Sequence, residues 1–392
     1  MNTEISTIQI QDSKKLALTR YLYLKEEVKL ALLIAILKKS ESSVFWAYEL
    51  YYSGYKKELF CYLWKIYYDF YYALNPSFRD YFIKKQNDWE NVWKKTQTDD
   101  DYDAIDLPAD LECDKIIAML VNDLLIRPHT ADVFMLRNFA YNNKSVDKTF
   151  TISLEKHDYT SITRHIFDAS STELLKHVDE AKRYFGVTTA LPWAKMKKCQ
   201  KISNVDLSIQ ILGWIMSLYY VKTTKIKQGK KLYVKMDACD IAMYDTIYMT
   251  EDCTFRTYRI LPMARLYNID EYSTLGLFTL ERDKLMANDS DALRKLNWYD
   301  WLYYASFSPV WNTRISKFHG IVDHTTRKVD FENDDYFEDF YENYGYEPDE
   351  QSCEVQNKSA PYIEKRTDWD AFYKEHNEMG LIYPDNHIIN TY

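Results

Sequence analysis

Glycine and proline are scarce in this chain, at 8 and 9 of 392 residues. Both residues make tight turns, so their shortage argues against a many-stranded sheet protein and for long helices joined by short breakers. Long apolar runs are missing as well. The longest, Leu30–Leu37, falls far short of the roughly 20 residues that span a bilayer. It reads as a buried helix face, and no membrane partner is expected. The opening residues Met1-Asn2-Thr3-Glu4-Ile5 lack a basic segment followed by an apolar core, so no signal peptide is expected. The six cysteines, Cys61, Cys113, Cys199, Cys239, Cys253 and Cys353, include no C-x-x-C pair and none stands near a histidine at zinc-finger spacing. Scattered thiols of this kind read as reduced, which makes a cytoplasmic location the expectation.

The glycine shortage also removes most catalytic signatures. There is no G-x-G-x-x-G, and Gly229-Lys230-Lys231 lacks the preceding glycine and the hydroxyl of a phosphate loop. A G-x-S-x-G elbow and an H-E-x-x-H helix are absent too. His319 and His324 are separated by the wrong interval for one helix face, with Gly320 between them. Pro348-Asp349 followed by Glu354 approaches a metal-dependent nuclease pattern, but Val355-Gln356 breaks it. The acidic run from Asp99 to Asp114 lacks the glycine of a calcium loop. No catalytic residue, metal ligand or cofactor is therefore nominated, and the chain is not expected to be an enzyme. A site assembled from distant residues is the alternative that sequence alone leaves open.

Aromatic residues are abundant: 35 Tyr, 18 Phe and 10 Trp. Tyrosine couples a large apolar body to one hydroxyl that needs a partner, which suits half-buried positions and interfaces. AT-rich codon bias would enrich it as well. The densest stretch, Tyr21–Trp93, shows helical apolar spacing. It predicts helices from about Asp12 to Lys39, Glu41 to Ser53 and Tyr55 to Leu74, and a fourth opened by Asn75-Pro76 that ends near Lys95. Short connections make such neighbours antiparallel, so residues 12–96 read as an N-terminal block of αα-hairpins. Tyr51, Tyr55, Tyr67 and Tyr71 fall outside the apolar stripes and are nominated as protein-interface residues.

Residues 97–114 read as a solvated acidic linker. Residues 115–220 resume the helical array, with Lys115–Ile126, Ala131–Phe139 capped by Thr130, two or three helices between Ser145 and Tyr184, and Val205–Tyr220. Residues 221–329 read as a mixed α+β segment. Lys222, Lys225, Lys227, Lys230, Lys231 and Lys235 alternate there with apolar residues around a Gln228-Gly229 hairpin tip. These lysines are the nucleic-acid candidates, through phosphate contacts and a stacking Tyr233, unless they merely keep an edge hairpin soluble. Strand-like texture extends to residue 282, and helical spacing returns over Asp291–Ser306. Residues 330–392 form an acidic, aromatic C-terminal region. Within it, Phe337, Phe340, Tyr341 and Tyr344 are nominated as anchors that pack on the body or meet a basic partner. A net charge of −9 argues against a general nucleic-acid coat. The fold class is therefore mainly α, an αα-hairpin bundle or irregular helical solenoid with a small mixed α/β segment in the C-terminal half. No fixed-period repeat supports a regular repeat family.

Three phrases carry a resemblance: Glu41-Ser42-Ser43-Val44-Phe45-Trp46-Ala47-Tyr48-Glu49-Leu50-Tyr51-Tyr52-Ser53-Gly54, Arg127-Pro128-His129-Thr130-Ala131-Asp132-Val133-Phe134, and Asn343-Tyr344-Gly345-Tyr346-Glu347-Pro348-Asp349-Glu350. In these the chain resembles a group of proteins of giant nucleocytoplasmic DNA viruses, mimivirus-like ones in particular. The resemblance implies a setting in infected host cytoplasm, a viral factory or a virion, and brings no activity or functional residue with it. The expected function is a non-enzymatic helical scaffold or adaptor that binds viral or host proteins in a complex linked to translation, replication or the virion. The alternative is a nucleic-acid-binding accessory protein that uses residues 222–235.

Overall fold

The computed structural model describes residues 16–96, 111–139, 149–188, 207–224, 271–273, 275–278, 280, 283, 292–344, 367–377 and 379–382. The structure is 71% helical, with 15 helices and a small two-stranded antiparallel sheet in the C-terminal half among the described residues. The chain forms two compact units, each assembled from separated stretches. One comprises Met1–Leu30, Glu49–Tyr55 and Thr246–Lys365; the other comprises Ala31–Tyr48, Lys56–Asp245 and Arg366–Tyr392.

The first four helices are α1 (Lys25–Leu37), α2 (Ser43–Tyr52), α3 (Lys56–Ile66) and α4 (Phe78–Thr96). The predicted stripe Leu59, Leu63, Ile66, Phe70 and Leu74 is buried throughout. α3 does not continue as a regular α-helix to Leu74. It passes into a π-helical turn, Tyr67–Tyr71, in which the Tyr72 N–H reaches back to the Tyr67 carbonyl at 2.7 Å. α1 also begins later than its apolar spacing suggests. Residues before it form a tight turn closed by an antiparallel bridge between Leu18 and Leu24, with Leu22 at φ 62°. Asp12, the expected cap, lies outside the described residues.

α5 (Leu111–Leu125) takes in the last four residues of the expected acidic linker. Glu112 and Asp114 occupy its first turn, where acids favour the helix dipole. The rest of that linker lies outside the described residues. α6 (Asp132–Phe139) follows Thr130, whose hydroxyl oxygen accepts the Asp132 N–H at 3.2 Å. Three helices then fill the stretch expected to hold two or three: α7 (Phe150–Glu155), α8 (Tyr159–Asp168) and α9 (Ser171–Phe185). α9 opens with a reciprocal Ser170–Glu173 capping box and ends on left-handed Gly186. α10 (Leu207–Thr224) runs past residue 220, so Val221 and Lys222 are helical and not the start of a hairpin.

In the second unit α10 is the central element. It packs against the π turn, α6, α8 and α9, and residues on every side of it are buried. A helix apolar all round has this place in a globular protein. Gly213 lets it sit close to the π turn: a Cβ there would lie 2.8 Å from Tyr72 Cδ1. Gly213→Val should lower the stability of the chain by about 1–3 kcal/mol in urea denaturation, because the added atoms meet a buried ring. A variant as stable as the parent would show that Tyr72 moves aside freely.

In the first unit, α11 (Ala292–Trp298), α12 (Trp301–Ala305) and α13 (Pro309–Lys317) precede a hairpin of β1 (Gly320–Asp323) and β2 (Lys328–Phe331). The strands pair Gly320 with Phe331 and Asp323 with Lys328. The strand texture expected at 221–282 is replaced by helix at its start, where α10 runs to Thr224, and otherwise lies outside the described residues apart from a few positions near its end. Sequence reading passed over this hairpin, whose strands are four residues each and whose turn contains no glycine. Asp323 shapes that turn by accepting the Thr325 N–H at 2.7 Å and the Thr326 hydroxyl at 2.6 Å. α14 (Asp334–Tyr344) packs back on β2. The N-terminal turn joins the same unit through buried polar atoms: Glu49 Oε1 accepts the Tyr21 N–H at 2.9 Å, and Ser53 Oγ accepts the Arg20 N–H at 2.7 Å. The last helix, α15 (Trp369–Glu375), belongs to the second unit.

Candidate interaction surface

Asn333 immediately precedes α14, and its side-chain oxygen accepts the Tyr336 N–H at 2.9 Å. The helix has aromatics at 337, 340, 341 and 344, spaced for one helical face. The four nominated anchors divide by burial. Phe340 is fully buried against Phe331 (4.9 Å between ring centroids), Phe318 (5.9 Å) and Trp311 (6.5 Å). Tyr344 is half-buried under the Arg314 guanidinium, 4.6 Å from its ring centroid. Tyr341 is half-buried, and Phe337 leaves 48% of its surface in solvent. Phe337 stands 4.6 Å from Tyr341 and 5.9 Å from Phe331.

Helical geometry sets two ridges side by side. Phe337 and Tyr341 form one; Asp334, Glu338 and Glu342 form the next, at successive i,i+4 steps. Asp335 and Asp339 widen the acidic side, and all five acids are exposed. α14 contains no basic residue, and none of these five carboxylates has an ion-pair partner among the described residues. Like charges at i,i+4 cost roughly 0.2–0.5 kcal/mol a pair. Acids in the last turn also oppose the helix dipole. Asp334 and Asp335 in the first turn suit the dipole, but Glu338, Asp339 and Glu342 extend the acidic pattern where the helix's own stability does not favour it, beside an aromatic ring that solvent does not favour.

The other nominated interface residues do not make a surface. Tyr51 is buried, and Tyr55 is half-buried with the Lys25 ammonium 4.3 Å from its ring centroid. Tyr67 and Tyr71 are fully buried in the π turn. Their hydroxyls explain how phenols outside the apolar stripe can be internal: Tyr67 donates to the Asn75 carbonyl at 2.9 Å, and Tyr71 to the Ile36 carbonyl at 3.4 Å. Around them Trp64 stacks on Phe82 at 3.9 Å and donates its indole N–H to Gln86 at 2.6 Å. Tyr68 accepts from Arg79 Nε at 3.1 Å and donates to Gln210 at 3.2 Å. Burial pushes the Tyr67, Tyr68 and Tyr72 hydroxyls above the ordinary phenol value, so they stay neutral.

Of the six nucleic-acid candidates, Lys222 is exposed on the last turn of α10. Its ammonium lies 4.3 Å from the Tyr184 ring centroid and donates to that hydroxyl at 3.2 Å. Lys225, Lys227, Lys230, Lys231 and Lys235 lie outside the described residues. No group of three or more His, Cys, Asp and Glu side chains is arranged to hold a metal ion among the described residues. His319 and His324 flank the hairpin strand β1 and are engaged separately. His319 lies 4.6 Å from the Tyr336 ring and 3.7 Å from Glu332, and His324 stacks on Phe307 at 6.1 Å.

Two buried carboxylates of the second unit were not singled out by sequence reading. Asp69, in the π turn, takes a two-pronged ion pair from Arg137 of α6 at 2.9 and 2.8 Å. Asp132, at the head of α6, is met by the hydroxyls of Tyr220 and Tyr373 at 2.5 and 2.6 Å and by the Leu381 N–H at 2.8 Å. Most of the groups that fix each carboxylate lie far away in sequence. Among the described residues no helix is long and apolar enough to cross a membrane. Comparison of the chain with protein-family models, curated proteins and solved structures gives no match.

Proposed function

We propose that the protein is a non-enzymatic helical scaffold that binds a basic segment of a partner protein on the exposed face of α14. The observation that carries this reading is the half-exposed Phe337 on a ridge adjoining Asp334, Glu338 and Glu342. An aromatic anchor beside an acidic rim has the anatomy of a binding hot spot, in which the ring supplies desolvation energy and the charges supply orientation and encounter rate. Phe340, fully buried under the same helix, holds the ridge in place and is not itself available to a partner. The host-cytoplasmic, viral-factory or virion setting that the giant-virus resemblance implies belongs to the same proposal.

Affinity capture of the full chain at low salt, followed by mass spectrometry, should recover a stoichiometric partner with a basic contact segment. Phe337→Ala should weaken that complex by about 30-fold, the loss expected for a hot-spot aromatic. Glu338→Lys with Glu342→Lys should slow association and remove most of its salt dependence. Unchanged affinity in both variants would overturn the reading.

A further inference from the structure

The C-terminal strap, residues 367–377 and 379–382, lies on α6 and α10 within the second unit. Trp369 packs on Phe139 at 4.9 Å and Phe134 at 5.9 Å, and Phe372 packs on Phe134 at 5.9 Å. From Tyr373 onward, hydrogen bonds of the strap gather at and beside Asp132. Tyr373 donates to its Oδ1 and the Leu381 N–H to its Oδ2, while Tyr220 of α10 touches both Oδ2 and the Met379 carbonyl. Asn377 Oδ1 also accepts the neighbouring Ala131 N–H at 3.4 Å.

The hydrogens around Tyr220 do not balance if Asp132 is ionised. The Tyr220 oxygen lies 2.5 Å from Asp132 Oδ2 and 2.7 Å from the Met379 carbonyl oxygen. A carboxylate and a carbonyl only accept, and a phenol has one hydrogen to give. One of the two short contacts would then set oxygen against oxygen with no hydrogen between, inside the protein, where Asp132 is fully buried. A proton on Oδ2 closes the chain. Asp132 donates to Tyr220, Tyr220 donates to the Met379 carbonyl, and Tyr373 donates to Oδ1. The Thr130 hydroxyl, 2.9 Å away, donates to the second lone pair of Tyr220. We infer that Asp132 is protonated in the folded protein at neutral pH, and that this proton is the latch that holds the C-terminal strap on α6 and α10.

The electrostatics agree. Burial raises the Asp132 carboxyl above its ordinary value and outweighs the surrounding hydrogen bonds that pull it down. No cation forms an ion pair with Asp132 among the described residues. The charged and titratable groups on the surrounding elements are engaged elsewhere. Arg137 on α6 holds Asp69, and Arg127 before it holds Asp123. His129, in the same connection, lies 5.5 Å from the Tyr71 ring. Lys222 on α10 sits over Tyr184. On the strap, Lys374 pairs with Asp370, Glu375 with Lys38 at 3.2 Å, and His376 lies 3.6 Å from Glu375.

The direction of the pH effect follows. With the strap docked, Asp132 holds a proton that it gives up to solvent once the strap is released, so the latch is fully present below the ordinary carboxyl value of 3.8. It is lost as pH rises through the higher folded-state value. Release uncovers the aromatic face of α6 formed by Phe134 and Phe139.

Infrared difference spectroscopy of the full chain against Asp132→Asn tests the proton directly. A protonated-carboxyl stretch present at neutral pH in the parent and lost in the variant is the expected result; a carboxylate band alone would overturn the inference. Hydrogen exchange, corrected for the intrinsic rate, should show the strap amides losing protection as pH rises in the parent but not in Asp132→Asn. The asparagine NH₂ can replace the acid O–H toward Tyr220 but turns a donor toward the Leu381 N–H, so the variant is compared for the pH dependence of protection and not for its level; parent strap protection that does not change with pH would count against the latch. Should the variant fail to fold, carbon NMR of the parent labelled at aspartate decides. One carboxyl carbon is expected to remain protonated at neutral pH, and a fully ionised set would refute it.

Discussion

Replacing Arg137 by methionine should destabilise the chain by about 3–5 kcal/mol, the largest loss expected from any single charge removal described above. The Asp69 side chain is 3% accessible and the Arg137 side chain 17%, and their two hydrogen bonds run in parallel. Arg137→Met leaves a carboxylate inside the protein with its main counter-charge gone. The loss is the desolvation of that stranded group and not the net worth of the pair. A double variant, Asp69→Leu with Arg137→Met, removes both charges and should recover most of the stability. Urea denaturation of the parent, the single variant and the double variant measures this directly. If the double variant is no more stable than Arg137→Met, the pair is not what fixes α6 to the π turn. The same contact region joins the Phe70 carbonyl to the Thr130 N–H at 2.8 Å and stacks Phe70 on Phe134 at 5.0 Å. Strap protection should therefore fall in Arg137→Met and return in the double variant.

The helices were legible because their apolar residues recur at the helical period, and burial rewards that period. The α3 stripe and the α4 residues Phe78, Phe82 and Trp89 are all inside. Trp93 is half-buried and stacks on Trp89 at 5.0 Å. The same logic misread Tyr67 and Tyr71. A stripe argument assumes one wet face, whereas the π turn is enclosed and its phenol hydroxyls find backbone carbonyls. A π turn also rotates the following side chains, and no apolar spacing announces it. The tight turn before α1 was hidden for a different reason. Its apolar residues fit a helix, but the turn is held by Glu49 and Ser53, far along the chain. The Asp132 cluster was beyond sequence reading, since its two phenols lie 88 and 241 positions away. The acidic-aromatic pattern of α14 was visible because its signal is local. The structure adds which ring is left outside.

Trp311→Ala should lower the stability of the first unit by about 3–5 kcal/mol, the usual range for a fully buried aromatic cut to a methyl group. Trp311 on α13 is fully buried. Its indole N–H donates to the Thr19 carbonyl at 2.9 Å. Its ring meets Trp301 at 5.6 Å, Tyr344 at 6.4 Å and Phe340 at 6.5 Å, and the Arg314 guanidinium lies 4.8 Å from its centroid. One side chain thus supports both the N-terminal turn and the buried face of α14. Trp311→Phe separates the two duties. It keeps most of the ring contact with Phe340 and loses one of two donors to the Thr19 carbonyl, which still accepts the Leu22 N–H at 3.0 Å, so it should cost about 0.5–1.5 kcal/mol for the lost hydrogen bond. Exchange protection should then fall around Thr19 while that of α14 is kept. In Trp311→Ala both regions should lose protection, and partner binding through Phe337 should weaken although Phe337 itself is intact. If α14 keeps full protection in Trp311→Ala, then Phe318 and Phe331 suffice to seat Phe340, and the ridge does not depend on the tryptophan.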